Sequence, residues 1–326
     1  MHISGKKILI TGGLGFIGSN LARRLVHFDN TVTVVDSLIP QYGGNLRNLH
    51  DLRDKVVVNL SDVRDPFSIN ELIKDQDYLF NLAGQTSHLD SMENPFVDLD
   101  INAKAQLSIL ETCRKNNPGV RIVFASTRQI YGKPSYLPVD EKHPLHPVDI
   151  NGINKIAGEQ YHILYNEVYG ISSSVIRLTN TYGPRMRIKD ARQTFLGIWI
   201  RNLLQGIPIQ VFGDGRQRRD YNFVDDVIDA LLLAATSDDA TGEAYNLGSP
   251  DPMSLEETAS MMCTQVEGSS YELVPFPEDR KAIDVGDFVC DYSSFSKAFE
   301  WEPKTSFEKG IKSCLNFFKN EIEYYI

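Results

Sequence analysis

Four glycines, Gly12, Gly13, Gly15 and Gly18, lie between an apolar β-branched run, KILIT, and an amphipathic stretch opening at Phe16 and Ile17. Glycine at a strand-to-helix turn lets the backbone approach a phosphate, and the free N–H groups of the first helical turn then meet its charge. The spacing predicts a pyrophosphate cradle. About 20 residues further on, Asp36 closes a second β-branched run, TVTVVD. A carboxylate there accepts hydrogen bonds from a ribose diol and repels a 2′-phosphate. The ligand expected is therefore NAD rather than NADP. Cys113, Cys263, Cys290 and Cys314 are far apart with no Cys-x-x-Cys pair, so neither a metal site nor a disulfide framework is expected.

The turn has to be held by a sheet. Through the first 130 residues, short strand-like runs (KILITG, TVTVVD, VVVNLSDV, YLFNLAG, RIVFAST) alternate with helical stretches (SNLARRLVHF, INELIKD, AQLSILETCRK). That alternation predicts an α/β fold, a Rossmann-type doubly wound parallel sheet. A long helix is expected from about Gly152 to Val168, then another strand in SSSVIRLTN. Past Tyr182 the pattern becomes irregular, broken at Gly183-Pro184, Gly213-Asp214-Gly215 and Ser249-Pro250. The expected division is a dinucleotide-binding domain over 1–178, with a returning segment near 218–247, and a smaller α/β substrate-binding domain over 179–326.

The 326 residues carry a net charge of −10 without any basic tract, which argues against a nucleic-acid partner. No apolar stretch approaches the roughly 20 residues a membrane span needs, and the start of the sequence runs into a strand with no basic-then-apolar leader. A cytoplasmic protein is expected.

Seven segments, TGGLGFIG, SDVRD, NLAGQ, ASTRQIYG, NKIAGEQY, RLTNTYGPR and RRDYNFVDD, resemble the extended short-chain dehydrogenase/reductase family, specifically its NAD-dependent nucleotide-sugar epimerases and dehydratases. The resemblance spans nearly the whole chain. It implies that Asp62 and Val63 lie beside the adenine, and Ala83, Gly84 and Gln85 along the cofactor's phosphate and nicotinamide-ribose side. It also implies a nucleotide-diphosphate sugar between the domains, contacted by Asn180, Arg185, Arg219 and Arg280. Guanidinium groups bind phosphate oxygens in bidentate fashion, which suits a diphosphate. The competing reading makes Arg219-Asp220 and Arg280-Asp284 surface ion pairs. GPRMRIKDARQTF is similar to a loop of UDP-glucuronate decarboxylases, which favours UDP. Family members also dimerise through two helices, here expected at Asp98 to Lys115 and Gly152 to Val168. The apolar stripes of these helices equally fit burial on the chain's own sheet.

At the catalytic positions the resemblance breaks. The family oxidises a sugar hydroxyl with a Tyr-x-x-x-Lys pair on one helix face, where the lysine's charge lowers the tyrosine pKa. Lys155 is present, but position 151 is Asn, and an amide cannot exchange a proton as a phenolate does. Thr127 keeps the family's hydroxyl. Where dehydratases carry Asp-Glu and decarboxylases a Glu, this chain has Arg128 and Gln129, which favours an epimerase outcome. His88 is the leading substitute base, since imidazole suits proton transfer near neutrality. His146 ranks below it, and Tyr161 and Tyr165 lie too far along the helix. Two functions stay open. One is a UDP-sugar C4 epimerase working through a transient keto sugar with Thr127, Lys155 and Asn151 or His88. The other is a redox-silent protein that binds NAD and a nucleotide sugar, or an enzyme with rebuilt chemistry.

Overall fold

β-Branched runs with no polar alternation should become strands buried on both faces, and the central ones do, whereas the edge run Val56–Asn59 leaves Val57 and Val58 exposed. In the computed structural model, which describes residues 3–326 apart from the side chain of Asp279, seven parallel strands make one sheet. They are β1 (Lys7–Thr11), β2 (Thr31–Val35), β3 (Val56–Asn59), β4 (Tyr78–Asn81), β5 (Arg121–Thr127), β6 (Ser173–Leu178) and β7 (Ala244–Asn246). Their order is β7-β6-β5-β4-β1-β2-β3. Lys7 pairs with Thr31 on one side of β1, and Ile8 with Tyr78 on the other. The strand order therefore reverses at β1 and β4, and the crevice beyond the carboxyl ends of these strands is where such sheets bind ligands.

Helices cover both faces: α1 (Phe16–Leu25), α2 (Ala105–Asn116), α3 (Ile150–Tyr169), α4 (Phe195–Gln205), α5 (Val224–Thr236) and α6 (Phe307–Glu321). Ile8 and Ile10 pack with residues of α1 and α5, whereas Leu9 faces α2 and α3, as the two-residue period of a strand requires. α3 begins where the Asp149 carboxylate accepts the Gly152 N–H at 2.7 Å. It ends at Gly170, which takes a left-handed φ of 69°.

The helix expected over Asp98 to Lys115 is not continuous. A short helix, Pro95–Leu99, passes through a π turn, Asp100–Lys104, into α2. Widened turns of this kind often mark functional sites. Here the turn carries Asn102, whose side-chain N–H bonds the Gln85 carbonyl at 2.9 Å. Among the described residues no helix is long and apolar enough to cross a membrane.

After β6 the chain builds α4 and a separate parallel pair, Ile209–Phe212 with Tyr271–Val274. Between the two strands of that pair it returns through α5 to β7, which extends the main sheet beside β6. These later elements wall off the open side of the crevice.

Candidate active site

The cradle follows from the glycines. Gly12 adopts φ 67°, and a Cβ at Gly18 would overlap the Gly12 carbonyl, so α1 can start against the turn only without side chains there. Gly15 caps α1 with no side-chain hydrogen bond, leaving the first helical N–H groups without a cap partner. These orphan donors at the positive end of a helix fit a pyrophosphate. Gly13 packs instead: its Cβ would collide with Val34. Opposite, Thr11 Oγ1 accepts the Leu82 and Ala83 N–H groups at 3.0 Å each and donates to Asn81 at 2.8 Å, which fixes the wall that continues to Gln85.

At the end of β2, Asp36 accepts one backbone N–H on each oxygen, from Leu14 at 3.1 Å and Leu38 at 2.9 Å. Burial raises its pKa, against the pull of those two donors. Lone pairs remain on both oxygens for a ribose diol. Asp62 is clamped by Arg64, whose hydrogen bond holds its carboxyl below the usual range, and Val63 follows it. Gly12, Gly15, Phe16, Ile17, Gly18, Asp36, Asp62, Val63, Ala83, Gly84 and Gln85 all line one cavity of about 830 Å³.

Thr127, Lys155, Asn151 and His88 line the same cavity. Thr127 ends β5, and its Oγ1 accepts the Gln129 N–H at 3.2 Å. Lys155 projects from α3 and donates to the Ala125 carbonyl at 3.0 Å. Burial lowers its pKa to about 8, although Asp98 and Glu159 work to raise it. One turn earlier, the Asn151 amide N–H₂ bonds the Gln85 carbonyl at 2.8 Å and Asp98 at 3.0 Å. The other Asp98 oxygen accepts from Asn154 at 2.8 Å. Asn151 is thus built into the wall, with only its carbonyl oxygen to offer. Sequence reading placed Asp98 on a dimer helix and missed this role, because no local spacing connects it to position 151.

His88 opens a short helix, His88–Glu93, and its Nδ1 lies 2.8 Å from the buried Asp149 carboxylate. Asp149 also accepts Gly152 N–H and, at 2.9 Å, Gln129 Nε2. Burial pushes its pKa up, but His88 and these donors outweigh burial and hold it below the usual value. Nδ1 meets Asp149 as a close charge contact outside hydrogen-bond geometry, and the side chain, 37% exposed, lines the cavity. Asp149 was not singled out from the sequence. His146, Tyr161 and Tyr165 are not among the lining residues.

The far end carries Asn180, Arg219 and Arg280. Asn180 donates to the Asp220 carbonyl at 2.9 Å. The Arg219 guanidinium is only 7% exposed and is held by the carbonyls of Arg218 and Gly286, with Asp284 at 3.9 Å. Arg280 stands over the Phe212 ring at 5.7 Å and has no carboxylate partner among the described residues. Neither Arg219-Asp220 nor Arg280-Asp284 forms the surface pair the sequence allowed. Arg185 is a correction. It takes φ 70°, and its guanidinium bonds Asn20 Oδ1 at 2.7 and 2.9 Å and stacks over Phe317, away from the cavity. The backbone turn after Gly183-Pro184 aims it at α1 and α6 instead. Arg128, read from the sequence only as a missing carboxylate, lines the cavity beside Thr127. No cluster of three His, Cys, Asp or Glu capable of holding a metal occurs among the described residues.

Residues 8–248 match the model of the NAD dependent epimerase/dehydratase family. A protein of Methanocaldococcus jannaschii, assigned provisionally as a UDP-glucose 4-epimerase, is 34% identical over 96% of this chain and 98% of its own length. The UDP-N-acetyl-alpha-D-glucosaminuronate decarboxylase of Bacillus cytotoxicus is 30% identical over 98% of this chain and 99% of its own. Among solved structures, the UDP-glucose 4-epimerase of Thermotoga maritima with UDP-glucose superposes with a TM-score of 0.89 at 29% identity, covering 97% of this chain and 99% of that one.

Proposed function

The chain belongs to the NAD-dependent epimerase/dehydratase family, and from that membership we propose that it is a UDP-sugar 4-epimerase whose proton-transfer group is His88, oriented by Asp149. The observation that carries this is the 2.8 Å pairing of a cavity-lining imidazole with a buried carboxylate, close to the position where the family tyrosine is missing. A carboxylate this close to one ring nitrogen stabilises the imidazolium that forms.

NAD, held by the Gly12–Gly18 turn, Asp36 and Lys155, would supply hydride acceptance and return at sugar C4. The remaining work belongs to the chain's own residues. Thr127 holds the reacting hydroxyl, and Lys155 holds the nicotinamide ribose. His88 Nε2 takes the hydroxyl proton as the carbonyl forms, while Asp149 balances the ring's new charge. After the keto sugar turns over, His88 gives the same proton back to the oxygen, so no external reductant is consumed. Asn180, Arg219 and Arg280 hold the diphosphate. Support for UDP comes from the relatives and from the loop containing Asp190 to Phe195.

The proposal includes a homodimer. Phe96, Leu99, Ile153, Leu164 and Val168, on the short helix before the π turn and along α3, all leave large apolar side chains exposed. Ile153, Leu164 and Val168 share a face at helical spacing.

The test is direct. Purified protein with NAD should interconvert a C4-epimeric pair of UDP-sugars when followed by proton NMR. A panel left unchanged would remove the epimerase reading. It would favour the redox-silent alternative, which the fixed hydrogen bonds of Asn151 support. In that event, Asn151→Tyr should bring activity in if the rest of the machinery is intact.

A further inference from the structure

Arg128 follows Thr127 directly and lines the cavity where the reacting part of the sugar would lie. Its guanidinium stands 5.0 Å over the Phe288 ring, and its Nη1 is buried with no hydrogen-bond partner. The charged groups that act on it are Arg219, of like sign, and Asp220 and Asp284. Neither carboxylate pairs with it. Asp220 Oδ2 accepts the Cys290 N–H at 3.3 Å, and Asp284 is bonded by Gln217 Nε2 at 2.7 Å and Gly286 N–H at 3.2 Å. Gln129, the next residue, is committed to Asp149. Arg128 is left as a half-buried cation whose Nη1 is buried and unpaired, facing a second cation and with no anion of its own.

A buried charge is ordinarily paired, because desolvation without a partner is costly. The diphosphate does not account for this one, since Arg219, Arg280 and Asn180 already line the far end for it. A neutral hexose would leave Arg128 unpaired beside the reacting carbon. Resting on the nucleotide-sugar reading above, we infer that the sugar this cavity takes carries a carboxylate, and that Arg128 selects it with the planar fork that matches a carboxylate in bidentate fashion. The Phe288 ring beneath the guanidinium supports the fork in that plane.

Calorimetric titration of the NAD-loaded protein with UDP, UDP-glucose, UDP-glucuronate and UDP-N-acetylmuramate tests this. The wild type should bind one of the two acidic sugars at least about tenfold more tightly than UDP-glucose. Which one gains separates a carboxylate on the ring from one carried on an ether side arm. Arg128→Gln should erase that preference while affinity for UDP alone stays within about twofold. Arg128→Lys, which keeps the charge but loses the fork, should show an intermediate preference and guards against a folding artefact. Equal binding of neutral and acidic sugars by the wild type would overturn the inference. So would an equal loss for UDP, neutral and acidic sugars in Arg128→Gln, which would assign Arg128 to the diphosphate. Selective binding of an acidic sugar without turnover would overturn the epimerase reading and leave this inference standing. Failure to bind UDP at all would overturn both.

Discussion

At the scale of single residues, the proposed answer to the missing phenol at position 151 is a pair on two other segments. His88 lies 2.8 Å from Asp149, and the carboxylate is in turn fixed by Gly152 N–H and Gln129. His88→Ala should lower kcat by about 10² to 10⁴-fold, the range for a positioned base, with NAD affinity little changed. Free imidazole should restore part of the rate, which a structural histidine would not allow. Asp149→Asn keeps a capping residue for α3 and so isolates the electrostatic role. Lys155 gives a pH signature. With its pKa lowered to about 8 by burial, the ammonium proposed to hold the cofactor ribose is present below that pH and lost above it. The rate should fall as pH rises through about 8, and a flat alkaline profile would exclude this. Stability should move the other way. Between about 8 and the ordinary lysine value of 10.5 the unfolded chain binds more protons than the folded one, so the penalty for burying this cation is relieved as pH rises.

At the scale of elements, α3 is fastened to β6 by a buried ion pair. Arg177 donates through Nε and Nη2 to Glu159, with the shortest contact 2.8 Å, and its Nη1 donates to the Tyr131 hydroxyl at 2.7 Å. The pair couples the helix that carries Asn151 and Lys155 to the sheet. Glu159→Ala should cost about 3–5 kcal/mol in chemical denaturation, because it strands a buried guanidinium. A loss below about 1 kcal/mol would mean that water or Tyr131 compensates fully. α3 was legible from apolar spacing, and the structure extends the expected Gly152 to Val168 by two residues at its start and one at its end. The π turn was not legible. Asn102 and Asp98 are drawn inward by Gln85, Asn151 and Asn154, which are close only after folding.

At the scale of the whole molecule, the exposed apolar residues of Pro95–Leu99 and α3 do not line the cavity and form the surface proposed to join two copies. Leu164→Glu should shift sedimentation from dimer to monomer at micromolar protein while leaving NAD binding intact. A wild type that sediments as a monomer would remove the dimer from the proposal. Because Pro95–Leu99 leads into the π turn carrying Asn102, separating the copies should lower the rate more than it lowers cofactor affinity.

The sequence by itself determined the doubly wound sheet, the glycine cradle with Asp36 beyond it, and the break in the catalytic pattern at Asn151. Each depends on residues close in the chain or on a periodicity that a strand or helix imposes locally. Only the tertiary structure decided which side chains meet across long separations. It brought His88 beside Asp149, joined Asp98 to Asn151, turned Arg185 away from the cavity to Asn20, and left Arg128 Nη1 buried without a partner. The physical reason is that pairing, desolvation and cavity access depend on distances between residues 50 or more positions apart in most of these cases, and no local pattern encodes such distances.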